Sequence, residues 1–253
     1  RLGYAKRYHI KESKIIKFHM KKIIIYSLSI LFFQSCSIMI PLKDLPKPDG
    51  KFLIGTDILI LEDINRGESF TKKTNDSRKI VVQVWYPSSE KGDSIYPYLD
   101  YPDIRIPYIS KQLGVKERLI EHIGKIQANA YYKSKPVKQE FPIVIFSHGL
   151  GGNRTQNTAN IESLVSNGYV VFAIEHTYDA NITVFNDSTY IEFDSYLSDD
   201  VGREEFYKVR IPQIKTRADD ISFVIDQIIA FKTQGFYIGK MCDIKNIGVF
   251  GHS

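Results

Sequence analysis

Apolar and polar residues alternate along this chain with two distinct periods, and the periods mark out the elements. Residues 79–86 place Ile80, Val82 and Val84 on one face and Val81, Gln83 and Trp85 on the other, the period-two pattern of a strand that Pro87 ends. Residues 141–147, Phe-Pro-Ile-Val-Ile-Phe-Ser, form an unbroken apolar run expected of a parallel strand buried on both faces. Runs at 169–174 and 247–250 predict two more strands, and 52–61 an early one. Between them the period lengthens. A helix is predicted over 156–166, stopped by Asn167-Gly168. Another is predicted over 204–232, with Ile221, Val224, Ile225, Ile228 and Ile229 as its apolar stripe. Residues 66–78 read as a loop or hairpin, and 175–200 as a long excursion. The tyrosine-rich stretch 95–138 predicts an amphipathic helix over about 110–130, placed either to cover the mouth of a site or to pack on the sheet. Strand, helix, strand, helix, strand is the alternation of an α/β fold with a parallel sheet.

The N-terminal part has another character. Met20, Lys21 and Lys22 lead into an 11-residue apolar run, 23–33, too short to span a bilayer and right for a signal-peptide core. Phe33-Gln34-Ser35-Cys36 resembles a bacterial lipobox, with Phe33 and Gln34 departing from its usual residues. The expected organisation is an upstream extension (1–19), a lipoprotein-type signal (20–36) with Cys36 lipidated, a tether (37–50) carrying Pro41, Pro46 and Pro48, and one domain from 51 to 253. The expected location is a bacterial cell envelope, lipid-anchored; a secreted or periplasmic protein, or an uncleaved anchor, are the alternatives.

Composition narrows the chemistry. With 253 residues, 43% apolar, 25% charged and a net charge of +5, the chain is ordinary for a globular protein. No basic patch interleaved with aromatics is present, which argues against nucleic-acid binding. Cys36 and Cys242 offer neither a metal spacing nor a disulfide framework, and no cofactor or metal motif stands out. Cys242 reads as a buried or free thiol.

The strand at 247–250 ends in Gly251-His252-Ser253, the first part of the Gly-x-Ser-x-Gly nucleophile elbow of α/β-hydrolases. Ser253 is the expected nucleophile, with Gly251 and His252 forming the elbow; His252 occupies the x position and is expected to pack there rather than act as base. About a hundred residues earlier, His148-Gly149-Leu150-Gly151-Gly152 follows the strand at 141–147. That is the loop from which this fold draws an oxyanion donor, here the Leu150 N–H, with His148, Gly149, Gly151 and Gly152 supporting it. A serine hydroxyl is too weak a nucleophile unless a histidine, held by a carboxylate, takes its proton. In this fold that Asp and His follow the serine in chain order, so both are expected beyond residue 253. His176 and Asp179 precede it and read as rim or packing residues.

The block Phe146-Ser147-His148-Gly149-Leu150-Gly151-Gly152-Asn153-Arg154 resembles the signature of platelet-activating-factor acetylhydrolases and their bacterial α/β-hydrolase relatives, including the dienelactone-hydrolase-like group. Val84-Trp85-Tyr86-Pro87, Glu175-His176-Thr177-Tyr178-Asp179-Ala180, Arg217-Ala218-Asp219-Asp220, Phe223-Val224-Ile225-Asp226 and the terminal Gly251-His252-Ser253 agree in order. The resemblance implies an α/β-hydrolase fold, a mostly parallel sheet with helices on both faces. It also implies metal-free hydrolysis of short acyl esters, such as those of ether or oxidised phospholipids, through an acyl-enzyme. A same-fold amide, peptide or lactone hydrolase and a non-catalytic lipid-anchored binding protein are the alternative readings. The 253-residue piece is expected to lack part of the sheet and the triad, and so to be inactive and poorly folded by itself.

Overall fold

The two strongest apolar runs, 141–147 and 169–174, pair with each other as parallel neighbours in one sheet. A computed structural model describes residues 42–252 except 74, 194–196 and 198–199. Cys36 with the expected signal, and Ser253, therefore lie outside the described residues. From Lys43 onward, a seven-stranded sheet has the order β3-β4-β1-β2-β6-β5-β9. Its members are β1 (Leu53–Gly67), β2 (Ser77–Ser88), β3 (Ile95–Pro97), β4 (Gln127–Tyr132), β5 (Phe141–Ser147), β6 (Val170–Glu175) and β9 (Cys242–Gly251). A small hairpin of β7 (Ile182–Val184) and β8 (Tyr190–Glu192) lies in the 175–200 excursion.

The sheet is mixed. β5 runs parallel to both β6 and β9, and β1 parallel to β4, whereas β1–β2, β2–β6 and β3–β4 are antiparallel. The segment 66–78 is the turn of the β1–β2 hairpin, and β2 continues through Pro87 to Ser88. Here Pro87 does not end the strand as its residue type suggested.

Helices cover both faces, as the α/β-hydrolase reading requires. On one face, Val224 and Ile228 of α3 (Arg203–Thr233) pack with Ile80, Val82, Val84, Ile143, Ile145, Phe172 and Ile174. On the other, Ile161 and Val165 of α2 (Thr158–Ser166) pack with Trp85, Phe146, Val171 and Ala173. The alternating side chains of β2 thus feed both cores. The α3 stripe holds for Ile221, Val224, Ile225 and Ile228, but Ile229 is 41% exposed. Cys242 is a buried free thiol, raised to about 12 by burial.

The tyrosine-rich stretch departs from expectation. Its helix, α1, spans Pro102–Leu113 and not 110–130. Gly114 adopts a left-handed conformation (φ 64°) that closes the helix, a conformation glycine takes without steric cost. Two short 3₁₀ turns, Glu117–Leu119 and Glu121–Lys125, follow, and then 127–132 becomes β4. Ala128 and Ala130 face the core and fit the period of two better than that of a helix. Within the proline-rich stretch, Leu45 packs on the α2-side core, and Asn129 Nδ2 donates to the Pro46 carbonyl.

Two neighbouring isoleucines on α3 offer a direct check. Ile228→Ala should cost about 2–5 kcal/mol because the cavity it leaves cannot collapse. Ile229→Ala should change stability by less than about 0.5 kcal/mol. Chemical denaturation of both variants measures the contrast, and equal losses would contradict the packing described.

Candidate active site

The three mutually parallel strands β6, β5 and β9 end along one edge of the sheet, where open α/β sheets place their ligands. In this register Ser147 pairs with both Ile174 and Gly251, so the loop after β5 and the end of β9 are neighbours. The His252 N–H donates to the Ser147 carbonyl at 3.1 Å. A Cβ on Gly149 would sit 2.9 Å from His252 Nδ1 and 3.4 Å from the His252 carbonyl oxygen, so the loop and the strand end approach closely there. The His252 side chain is exposed rather than packed; its Nδ1 is 3.3 Å from Gln156 Nε2.

The loop itself is held from several sides. The Gly149 carbonyl accepts from the Gly152 N–H at 2.8 Å and from His148 Nδ1 at 2.6 Å. The Gly151 N–H donates to the Asp179 carbonyl, and the Asn181 N–H to the Gly152 carbonyl, both at 2.8 Å. Gln112 of α1 reaches over to donate to the Gly151 carbonyl, also at 2.8 Å. Leu150, 42% exposed at the loop's tip, has an N–H without an acceptor among the described residues. An unpaired amide beside a cavity can receive an oxyanion.

Beneath the loop lies a buried polar chain that the sequence reading missed. Ser147 Oγ and His176 Nε2 are 3.0 Å apart, and His176 Nδ1 is 2.8 Å from Asp220 Oδ2. Asp220 also takes Arg78 through Nε (3.1 Å) and Nη2 (2.7 Å), and Arg66 Nη2 (2.6 Å). Arg217 Nη2 donates to Ser147 Oγ at 3.2 Å and to the His148 carbonyl. His148 and His176 are fully buried, and burial holds both imidazoles below the ordinary histidine range. Partners then set the tautomers of these neutral rings. His176 donates from Nδ1 to the carboxylate and accepts the Ser147 hydroxyl at Nε2. His148 donates from Nδ1 to Gly149 and accepts the His176 N–H at Nε2, 3.1 Å away. Asp220 is held well below the usual carboxylate range: burial opposes this, but His176 and Arg78 outweigh it.

A second buried cluster ties the insertion to the same edge. Arg105 of α1 donates to Asp100 (2.9 Å) and Glu175 (3.0 Å), while Arg154 donates to Glu175 (2.7 Å) and to Asp100. Two guanidinium groups and two carboxylates thus close a ring. Above the loop a cavity of about 640 Å³ is bounded by Gly149–Gly152, Gln112, Asp179, His252 and the first half of α3. Of the residues singled out from sequence, the loop, Asp179 and His252 meet at this cavity, whereas His176 lies buried below it. One signal for Asp220 was readable. It stands four residues before Val224 and eight before Ile228 on the core stripe, where a carboxylate must be paired. Nothing in one dimension pointed to Arg78 or Arg66 as its partners.

Comparison with known proteins adds to this geometry. The family profile described as "Platelet-activating factor acetylhydrolase, isoform II" matches residues 38–244. The platelet-activating factor acetylhydrolase of Canis lupus familiaris is 28% identical over 197 residues, 73% of this chain and 41% of that protein. The Bos taurus protein of the same name is 26% identical over 205 residues, with the same shares. This chain therefore spans about two fifths of the length of these curated relatives. Among solved structures, a ferulic acid esterase from Streptomyces cinnamoneus superposes with a TM-score of 0.65 at 25% identity, covering 83% of this chain and 55% of that one.

The buried carboxylate carries a pH-dependent stability. Because the folded state depresses the Asp220 pKa below its ordinary 3.8, its contribution is fully present above about pH 4 and fades as pH falls below it. Asp220→Asn should lose up to about 3–5 kcal/mol at pH 7, since it removes one of the two buried carboxylates that compensate Arg78 and leaves Glu68, 3.0 Å away, as the other. The gap to the unaltered protein should narrow below pH 4. Urea denaturation at pH 7, 5 and 3 tests this, and a gap that widens in acid would contradict the network.

Proposed function

The chain belongs to the platelet-activating factor acetylhydrolase, isoform II, family, and on that premise we propose that it is a serine-dependent carboxylic ester hydrolase working through an acyl-enzyme. The substrate class we propose is short acyl esters, platelet-activating-factor-like phospholipids among them. The observation that carries this reading is the unpaired Leu150 N–H, which stands at a cavity directly beside the end of β9. The nucleophile's place rests on Gly251-His252-Ser253 in the sequence, with Gly251 paired to Ser147 at the loop's base.

In this reading the Ser253 hydroxyl attacks the ester carbonyl as a general base takes its proton and later returns it to the departing alcohol. The Leu150 N–H donates a hydrogen bond to the tetrahedral oxyanion. Expulsion of the alcohol leaves an acyl-serine that water cleaves. His176 is not the base for this serine, because its Nε2 is already committed to Ser147. The Ser147–His176–Asp220 chain has the connectivity of a catalytic relay. However, Ser147 is only 8% exposed, and Arg217 donates to its hydroxyl. It serves as a strut beneath the loop.

His148 gives the oxyanion donor its direction. A peptide unit is planar, so the hydrogen bonds that hold the Gly149 carbonyl also aim the N–H of Leu150 at its other end. An interaction used only as the oxyanion forms should appear in kcat and not in KM.

Labelling the full-length protein with a fluorophosphonate should modify Ser253, and Ser253→Ala should abolish the label. Folded protein that takes no label would sink the serine mechanism. His148→Asn keeps a side-chain N–H near the position of Nδ1, while His148→Gln does not. Steady-state kinetics should show kcat down roughly 10–100-fold for His148→Gln with KM little changed, and a smaller loss for His148→Asn. Equal losses in the two variants would remove His148 from this role.

A further inference from the structure

Two guanidinium groups of α3 border the cavity above the loop without the counter-charges that the other buried arginines have. Among the described residues, Arg66, Arg78, Arg105 and Arg154 are partly or wholly buried, and each meets at least one carboxylate. Arg210 and Arg217 are half-buried at the cavity wall, and neither has a carboxylate at hydrogen-bond distance among the described residues. Arg217 spends Nη2 on Ser147 Oγ and the His148 carbonyl, which leaves Nε and Nη1. Arg210 spends Nη1 on Gln213 Oε1 at 2.5 Å, which leaves Nη2. Arg210 Nε is sealed from solvent, but these three nitrogens are not, so an occupant of the cavity reaches them. Burial pushes the Arg217 guanidinium below its ordinary range, with Asp179 and Asp220 opposing this. A desolvated cation without a paired anion is costly, and an anion entering the cavity offsets that cost.

Charge and shape decide which anion fits. Asp179 is the carboxylate that bounds the cavity, but its oxygens are sealed below the wall and bond to neither guanidinium. It offsets one of the two positive charges, and the wall stays net positive. Arg210 and Arg217 stand two turns apart on one face of α3, about 10 Å along its axis. Two guanidinium forks approaching from different sides each take one of the two unesterified oxygens of a phosphodiester, whereas a flat carboxylate suits a single fork. Phe206, Tyr207, Ile211 and Ile214, 41–63% exposed, offer apolar wall to carbon chain beside that anion. Arg217 also touches the base of the loop that carries the Leu150 N–H, so an anion bound there sits close to the scissile ester.

We propose that Arg217 and Arg210 bind the phosphodiester anion of a phospholipid-type ester substrate and select esters that carry a phosphate a few bonds from the scissile carbonyl. The inference rests on the ester-hydrolase reading and deepens it by naming the specificity-determining residues. The phosphate itself stays intact and positions the ester at the loop.

The test measures kcat/KM of the full-length protein on 2-acetoxyethyl methyl phosphate, an anionic phosphodiester, and on 2-acetoxyethyl dimethyl phosphate, its neutral methyl ester. The pair shares the acyl group and the spacer and differs in charge. 4-Acetoxybutanoate places a carboxylate at the same number of bonds, and acetylcholine places a cation nearby. The phosphodiester should be preferred over the triester by on the order of 10–100-fold. Arg217→Gln should collapse that ratio towards one, and Arg217→Lys, which keeps the charge but not the fork, should leave it intermediate. Arg217 also braces the loop, but a loosened loop slows both esters alike and leaves the ratio where it was. Arg210→Gln, whose parent side chain bonds only within α3, should lower the ratio several-fold and decides the matter if the Arg217 variants do not fold. A ratio near one in the unaltered protein overturns the proposal. So does a ratio unchanged in either glutamine variant, or a preference for the carboxylate or the cationic ester. Failure to hydrolyse any of the four esters would instead overturn the ester-hydrolase reading, and this subsite with it.

Discussion

A carboxylate with no exposure on the core face of a helix is tolerable only when positive charge and hydrogen-bond donors surround it, and Asp220 is in that position. Its partners come from four places: Arg78 on β2, Arg66 at the end of β1, His176 just beyond β6, and through His176 the hydroxyl of Ser147. Each of these contacts sets where α3 lies on the sheet. The apolar side chains Val224 and Ile228 bring the helix down, but burial of hydrocarbon is non-directional. The carboxylate makes the docking specific. Because Ser147 and His148 begin the glycine-rich loop, the same contact that seats the helix also supports the loop from below.

The ring of Arg105, Asp100, Arg154 and Glu175 performs a parallel task for the insertion. Alone, any of these charges would be costly to bury; closed into a ring, each guanidinium meets two carboxylates. The ring joins α1 and the segment before it to the end of β6 and to the residues just after the loop. Gln112 then reaches the Gly151 carbonyl from α1. The loop is consequently gripped from below by histidine and serine, and from the side by the insertion. Such rigidity is what an oxyanion donor needs, since a dipole aligned before the charge develops spends nothing on reorganisation.

Below the loop the chain from Ser147 to Asp220 is closed, whereas several buried groups around it are left without a partner among the described residues. His148, His176, Ser147 and Asp220 are paired, whereas Asp179, Gln213 Nε2 and Arg210 Nε are not. Satisfied networks hold a shape.

The sequence by itself determined the strands at 79–86, 141–147 and 169–174, the two helices that flank them and the glycine-rich loop. In each of these, the spacing of apolar residues or of glycines is a local property of consecutive positions. It also read Cys242 as a buried or free thiol, and the thiol is both. It misjudged 95–138, where one left-handed glycine and two short turns shift a helix and turn 127–132 into a strand. Tertiary structure alone decided that His176 lies buried beneath the loop, that Asp220 meets Arg78 across 142 residues, and that the Asp179 carboxylate is buried with no hydrogen-bond partner among the described residues. The physical reason is range. Periodicity reports what each residue does to its neighbours along the chain, but which buried charges neutralise one another depends on which strand ends converge, and that is settled only when the sheet has formed.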